Sequence, residues 1–178
     1  MEGRASAHWA RRERLRFHRG SPHRLRRCPP PPEPRLLALT SPHRRIVSEG
    51  PRETEAAGAN LVAELTAGDV VLLLGEMGSG KTTLVRGACR ALGIPGPITS
   101  PTFTLGRIHR GRVEVAHLDL HRLGSLEGED PALLDDYLTP ERIAFVEWPE
   151  VAAADLPAGT REVRLSHLGG DRRSIEIG

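Results

Sequence analysis

Residues 75–82 read Gly-Glu-Met-Gly-Ser-Gly-Lys-Thr, a match to the spacing Gly-x4-Gly-Lys-[Ser/Thr] that constrains the fold more than any other stretch of this 178-residue chain. Such a string works only where a buried strand turns sharply into a helix. Its glycines let backbone N–H groups point inward onto phosphate oxygens, and the helix N-terminus adds partial positive charge. Both flanks comply. Val70 to Leu74 is an unbroken aliphatic run, and Lys81 to Leu92 places Leu84, Val85, Ala88, Ala91 and Leu92 on one side before Gly93 and Pro95 stop the helix. Gly75, Glu76, Met77, Gly78, Ser79 and Gly80 are therefore the candidate phosphate cradle. Lys81 is placed to bridge the β- and γ-phosphates of a nucleoside triphosphate, and the Thr82 hydroxyl to ligate Mg²⁺. Of 25 basic residues, Lys81 alone is lysine.

A loop of this kind needs an acidic group at the end of a neighbouring strand, to hold Mg²⁺ or to polarise an attacking water. Two segments supply one. Val113 to Asp119 ends in Asp119, and the apolar run Ile143 to Val146 is followed by Glu147. In a parallel sheet both ends lie beside the phosphate loop. His117, Asp119 and His121 share an i, i+2, i+4 spacing that could instead make a transition-metal site, a reading that Mg²⁺ chemistry at Asp119 renders unnecessary. Trp148, one of few aromatic residues, directly follows Glu147 and is either a rim residue over the core edge or a contact for nucleotide or partner.

Around this centre the chain alternates apolar pattern and turn signals. Pro51 through Thr66 reads as a helix with Ala57, Leu61, Val62 and Leu65 on one face, stopped by Gly68. Ile98 to Leu105 is irregular. A hairpin turns at Arg110-Gly111 into 112–119, where Val113 and Val115 alternate with Arg112 and Glu114, predicting one buried and one wet face. A short helix is expected around Pro131 to Leu138, and Glu162–Ser166 with Ser174–Ile177 form a closing antiparallel hairpin through Gly169-Gly170. No internal repeat is visible. The expected fold class is α/β, a P-loop nucleoside-triphosphate-hydrolase fold with a partly parallel central sheet and antiparallel additions.

Charge divides the chain in two. Residues 1–45 hold 12 Arg against Glu2, Glu13 and Glu33, a net charge of +9, whereas residues 46–178 carry −7. The first segment also contains Pro29 to Pro32 and Pro34, lacks helical or strand periodicity, and is expected to be disordered because it cannot bury enough apolar area to offset ordering. It reads as a dispensable extension from an upstream start codon, with Val47 as an alternative start; a basic arm for nucleic acid and an Arg-rich targeting peptide are the competing readings. A signal peptide is excluded because no apolar segment follows the charges. The domain proper is expected at 46–178. No run approaches the roughly 20 apolar residues of a membrane span, so the sequence reads as soluble, without membrane partners. Cys28 and Cys89 are too few and too far apart for a disulfide framework or a CxxC knuckle, which favours a reducing, cytoplasmic setting.

Four motifs in order resemble one family. Gly75 to Thr83, then Ser100-Pro101-Thr102-Phe103, then His117-Leu118-Asp119-Leu120-His121-Arg122-Leu123, then Val146-Glu147-Trp148-Pro149-Glu150 are similar to the bacterial TsaE (YjeE) family of tRNA threonylcarbamoyladenosine biosynthesis. The likeness spans about 46–178. It implies ATP and Mg²⁺ as cofactors, weak ATPase activity, and work with TsaD and TsaB, which modify the adenosine beside the anticodon, so that tRNA is met through that complex. It further implies that Thr82, Glu147 and Asp119 organise Mg²⁺, that Asp119 serves hydrolysis, and that Thr102 senses the γ-phosphate as a switch. Thr83, Thr54 and Arg172 are implied near the nucleotide. The sequence departs from the pattern where His121 replaces the usual Tyr, and loosely over Glu127 to Asp136, a candidate partner surface.

Other classes stay on the table. A small-molecule kinase would use the same loop and could recruit Arg107, Arg110 and Arg112, yet no lid insert is evident. A GTPase would need a second lysine in its guanine-reading motif. A nucleotide-gated binding module would use ATP to order Ile98 to Leu105 for a partner, with hydrolysis incidental.

Overall fold

The computed structural model describes residues 43–101, 104–123, 131–157 and 160–178. The elements in chain order are β1 (Arg44–Ser48), α1 (Pro51–Val62), β2 (Val70–Leu74), α2 (Lys81–Ala91), β3 (Gly106–His109), β4 (Glu114–Asp119), β5 (Arg142–Glu147), β6 (Arg161–His167) and β7 (Arg173–Ile177). Among the described residues the strands form one seven-stranded sheet in the order β1-β7-β6-β2-β5-β4-β3. Its centre is parallel, with β2 between β5 and β6 and β4 beyond β5; β7 and β1 extend one edge and β3 the other, all antiparallel. This is the P-loop type of α/β fold, and it sets the carboxyl ends of β2, β4 and β5 side by side.

The central strands are apolar on both faces because both are covered. On one face α1 and α2 bury Leu61, Leu84 and Val85 against Val71, Leu73, Phe145, Val163 and Ile175. On the other, Val70, Ala116, Leu118, Ala144 and Val146 pack with Leu120, Leu134 and Ala152. Two glycines let the helices meet backbone to backbone. A Cβ on Gly58 would stand 2.0 Å from the Leu84 carbonyl oxygen, and one on Gly87 1.9 Å from that of Glu55. Glu55 then pairs with Arg86 and Arg90 across the same seam.

Three local expectations are corrected. Helix α1 ends at Val62 rather than Thr66, because the Asp69 carboxylate accepts the Thr66 amide at 2.6 Å and closes a turn through Gly68 at φ 94°. Strand β4 begins at Glu114, and Val115 to Leu118 are buried on both faces, so the expected wet face is absent: β3 and β5 flank the strand, and both layers cover it. Residues 131–138 make a single 3-10 turn at Pro131–Leu134 followed by turns onto the Leu134 carbonyl, a segment too short to sustain a regular helix. Strand β1 starts at Arg44, within the expected tail, while the expected disorder of 1–42 and the segment 127–130 lie outside the described residues.

Candidate functional site

The loop 75–80 leaves β2 and enters α2 through Gly75, Gly78 and Gly80 at φ 134°, 77° and 103°, the left-handed region where a side chain is strained. Gly75 is fixed twice over, since a Cβ there would stand 2.2 Å from the Leu165 carbonyl oxygen of β6. Inside the curl lies Lys81, only 4% exposed, whose Nζ donates to the carbonyls of Gly75 at 2.7 Å and Glu76 at 3.0 Å. The ammonium also stands 3.9 Å from Glu147 Oε2 and 4.6 Å over the Trp148 ring. Burial holds its pKa below the usual lysine value, against the opposing pull of Glu147, Asp119 and Glu150.

The two strand-end acids converge on the same helix end. Glu147 Oε1 accepts from Thr82 Oγ1 at 3.0 Å and lies 2.9 Å from His117 Nε2. Asp119 Oδ2 accepts from Ser100 Oγ at 2.7 Å, and its Oδ1 from the His121 amide at 3.2 Å. Lys81, Thr82, Asp119 and Glu147 thus line one cleft of about 450 Å³, with Met77, Ser100 and Trp148 on its walls. Trp148 is the one non-glycine residue at positive φ (59°) among the described residues, a strained conformation that turns its ring onto Lys81 and within 4.7 Å of His121. A hydroxyl and two carboxylates form a donor set of hard oxygens, which suits Mg²⁺ rather than a softer metal. The His117, Asp119, His121 alternative is not assembled: His117 turns to Glu147, His121 to Trp148, and no cluster of three metal-binding groups occurs among the described residues.

Residues 48–175 match the family model described as "Threonylcarbamoyl adenosine biosynthesis protein TsaE". The chain belongs to the TsaE family. It is 35% identical over 133 residues to the tRNA threonylcarbamoyladenosine biosynthesis protein TsaE of Treponema pallidum, covering 75% of this chain and 98% of that protein. It is 44% identical over 108 residues to the protein of that name from Synechocystis, covering 54% and 64%. Among solved structures it is similar to Bacillus subtilis YdiB, with a TM-score of 0.64, 28% identity and coverage of 76% of this chain and 84% of that one.

Within this TsaE family member, the expected loop residues Gly75 to Thr83 hold the strand-to-helix turn, with Met77 at its tip 72% exposed and Ser79 buried, its Oγ without a partner among the described residues. Thr54 is buried behind the loop. Its methyl lies 3.6 Å from the Cβ position of Gly80, while its hydroxyl shares a 2.8 Å hydrogen bond with Ser48, so it backs the cradle from beneath. Arg172 points away to Glu49 at 3.0 Å; the adjacent Arg173 is the one that grips the loop, donating to the carbonyls of Ser79 at 3.1 Å and Gly78 at 3.4 Å. Thr102 lies outside the described residues. Reasoning from sequence left Ser100, His117 and Arg173 without these roles. The same-face spacing of His117 and Asp119 was the one available signal.

Proposed function

We propose that this TsaE family member is a Mg²⁺-dependent ATPase of tRNA threonylcarbamoyladenosine biosynthesis that works in the cytoplasm with TsaD and TsaB to permit repeated turnover. The observation that carries the reading is the convergence of Lys81, Thr82, Asp119 and Glu147 on one cleft at the N-terminus of α2. The family supplies the pathway, since its members are named for that biosynthesis.

The loop amides and the α2 dipole attract the triphosphate, and Lys81 transfers its donors from the Gly75 and Glu76 carbonyls to phosphate oxygens. Thr82 and Glu147 would hold Mg²⁺, with Asp119 beside them, and a cation held there would supply charge compensation for the phosphates. Asp119 is braced by Ser100 and the His121 amide, so its carboxylate is oriented to align a water and accept its proton. Ser100 ties the segment after Ile98 to that acid, so a change in that segment on nucleotide binding would reach Asp119. No helix among the described residues is long and apolar enough to cross a membrane.

The test is phosphate release from ATP by the full chain with and without Mg²⁺, then with TsaD, TsaB and tRNA added. Mg²⁺-dependent release and modification beyond one turnover only in the presence of this protein and ATP are expected. Phosphate transfer to a small molecule instead would favour the kinase reading, and ATP-dependent binding to TsaD and TsaB without release would favour the gated module.

A further inference from the structure

We infer that His117 is a positioning residue for Glu147, its Nε2–H donating to Glu147 Oε1 and holding that carboxylate turned toward Thr82. The inference rests on the hydrolytic site proposed above and assigns it a residue that belongs to neither the phosphate loop nor the strand-end acids.

The strand pairing creates the contact. Asp119 pairs with Glu147 across β4 and β5, and His117 pairs with Phe145, so alternation sends His117, Asp119 and Glu147 to the same face. His117 is 0% exposed, in a strand whose other central residues are Val115, Ala116 and Leu118. A buried imidazole costs more than an apolar ring of similar size unless its polar atoms are used. Nε2 is used, at 2.9 Å from the carboxylate; Nδ1 has no partner among the described residues. An ionised carboxylate only accepts, so Nε2 must carry a proton toward it, and in the neutral ring that leaves Nδ1 as a bare acceptor rather than an orphaned donor.

The consequence is orientational. Thr82 Oγ1 and His117 Nε2 both donate to Oε1, one from the helix and one from the sheet, and together they fix the carboxyl plane. Oε2 then stands toward Lys81 at 3.9 Å. With Thr82 as sole donor, the carboxyl group could rotate, and every function that needs it aimed would weaken. Partners of this kind change metal affinity or activity by about 10–100-fold when removed.

The experiment uses the full chain as wild type, His117→Phe, which keeps ring volume without a donor, and His117→Gln, which restores one. Calorimetry with ATP in the presence and absence of Mg²⁺ reports how much the cation strengthens binding, and kinetics separate kcat from KM. His117→Phe should lose about 10-fold in the Mg²⁺-dependent gain and in kcat, with KM for Mg²⁺-ATP rising in step with the lost gain and Mg²⁺-free ATP binding changed less than about 3-fold, and His117→Gln should recover most of both. A long-range proton–nitrogen spectrum of wild type should show His117 protonated on Nε2 and bare on Nδ1. Parental behaviour of a folded His117→Phe, equal defects in Phe and Gln variants, or the opposite tautomer in wild type would each overturn the inference. If wild type binds Mg²⁺ and ATP together without hydrolysis, the ATPase reading fails while the binding series still decides the role of His117.

Discussion

Asp119 and Glu147 are paired residues at the last positions of the parallel strands β4 and β5, so their carboxylates leave the sheet on one face beside the start of α2. Two acids in such proximity repel unless cations and donors offset them. Lys81, the Thr82 hydroxyl, the Ser100 hydroxyl and the positive end of α2 supply that offset, which divides the cleft into a cationic half at the glycine loop and an acidic half at the strand ends.

Replacing Lys81 by alanine removes the one ammonium in the cradle and leaves the backbone amides intact. A hydrogen bond to a charged group is worth about 1.5–3 kcal/mol, so ATP affinity should fall about 10- to 100-fold. Calorimetry checks this; near-parental affinity would refute the site.

Glu147→Gln and Asp119→Asn keep the shape of the acids and remove their charge. Both should retain most of the Mg²⁺-free nucleotide binding and lose hydrolysis on the order of 100-fold, because on the proposed reading these groups act on the cation and the water rather than on the phosphate cradle. Phosphate release at the parental rate in both variants would show that the strand ends are idle.

The centre of this site was legible because its signals are local. Val70 to Leu74, the glycine string and Lys81 to Leu92 specify strand, turn and helix by neighbours in the chain, and β2 and α2 follow them almost residue for residue. What escaped depended on distant partners. The burial of β4 on both faces comes from β3, β5 and the layers around them, whereas the alternation of Arg112 to Val115 falls largely in the turn before the strand. Arg44 and Arg45 look like the end of a basic tail until β7 pairs with them, and which of Arg172 and Arg173 reaches the loop depends on where the turn at Gly169-Gly170 gives way to β7. Ser100 became a brace for Asp119 only through a contact spanning 19 positions.

Gly87→Ala should destabilise the protein without touching the cleft. The added Cβ would enter the Glu55 carbonyl at 1.9 Å, a backbone atom that cannot swing aside, so α1 and α2 must separate. Overpacking of this kind costs about 1–3 kcal/mol, offset in part by the higher helix propensity of alanine. A thermal midpoint equal to that of the parent would show that the seam is loose.

Cys89 is fully buried, and burial pushes its thiol up to about 12. The thiolate that reacts with disulfide reagents is therefore scarce at neutral pH, and access is closed as well. In a Cys28→Ser variant, labelling near pH 8 should be negligible in the folded protein and stoichiometric in denaturant. Rapid labelling of the folded form would contradict this packing.

Removing residues 1–42 should leave ATP hydrolysis and tRNA modification intact at physiological salt, since the motifs and the sheet all lie beyond them. The cut belongs before His43: Arg44 pairs with Glu64 at 2.9 Å and Arg45 donates to Ser174 at 3.0 Å, so truncation to Val47 would strip contacts from β1. The opposing case is electrostatic. The removed segment holds ten arginines against three glutamates, and phosphate contacts made by such a segment weaken steeply as salt rises. Parallel assays at low and physiological ionic strength therefore separate nonspecific attraction from a working arm. If the truncated protein keeps its ATPase activity yet loses repeated modification at physiological salt, the basic segment recruits tRNA and is not dispensable.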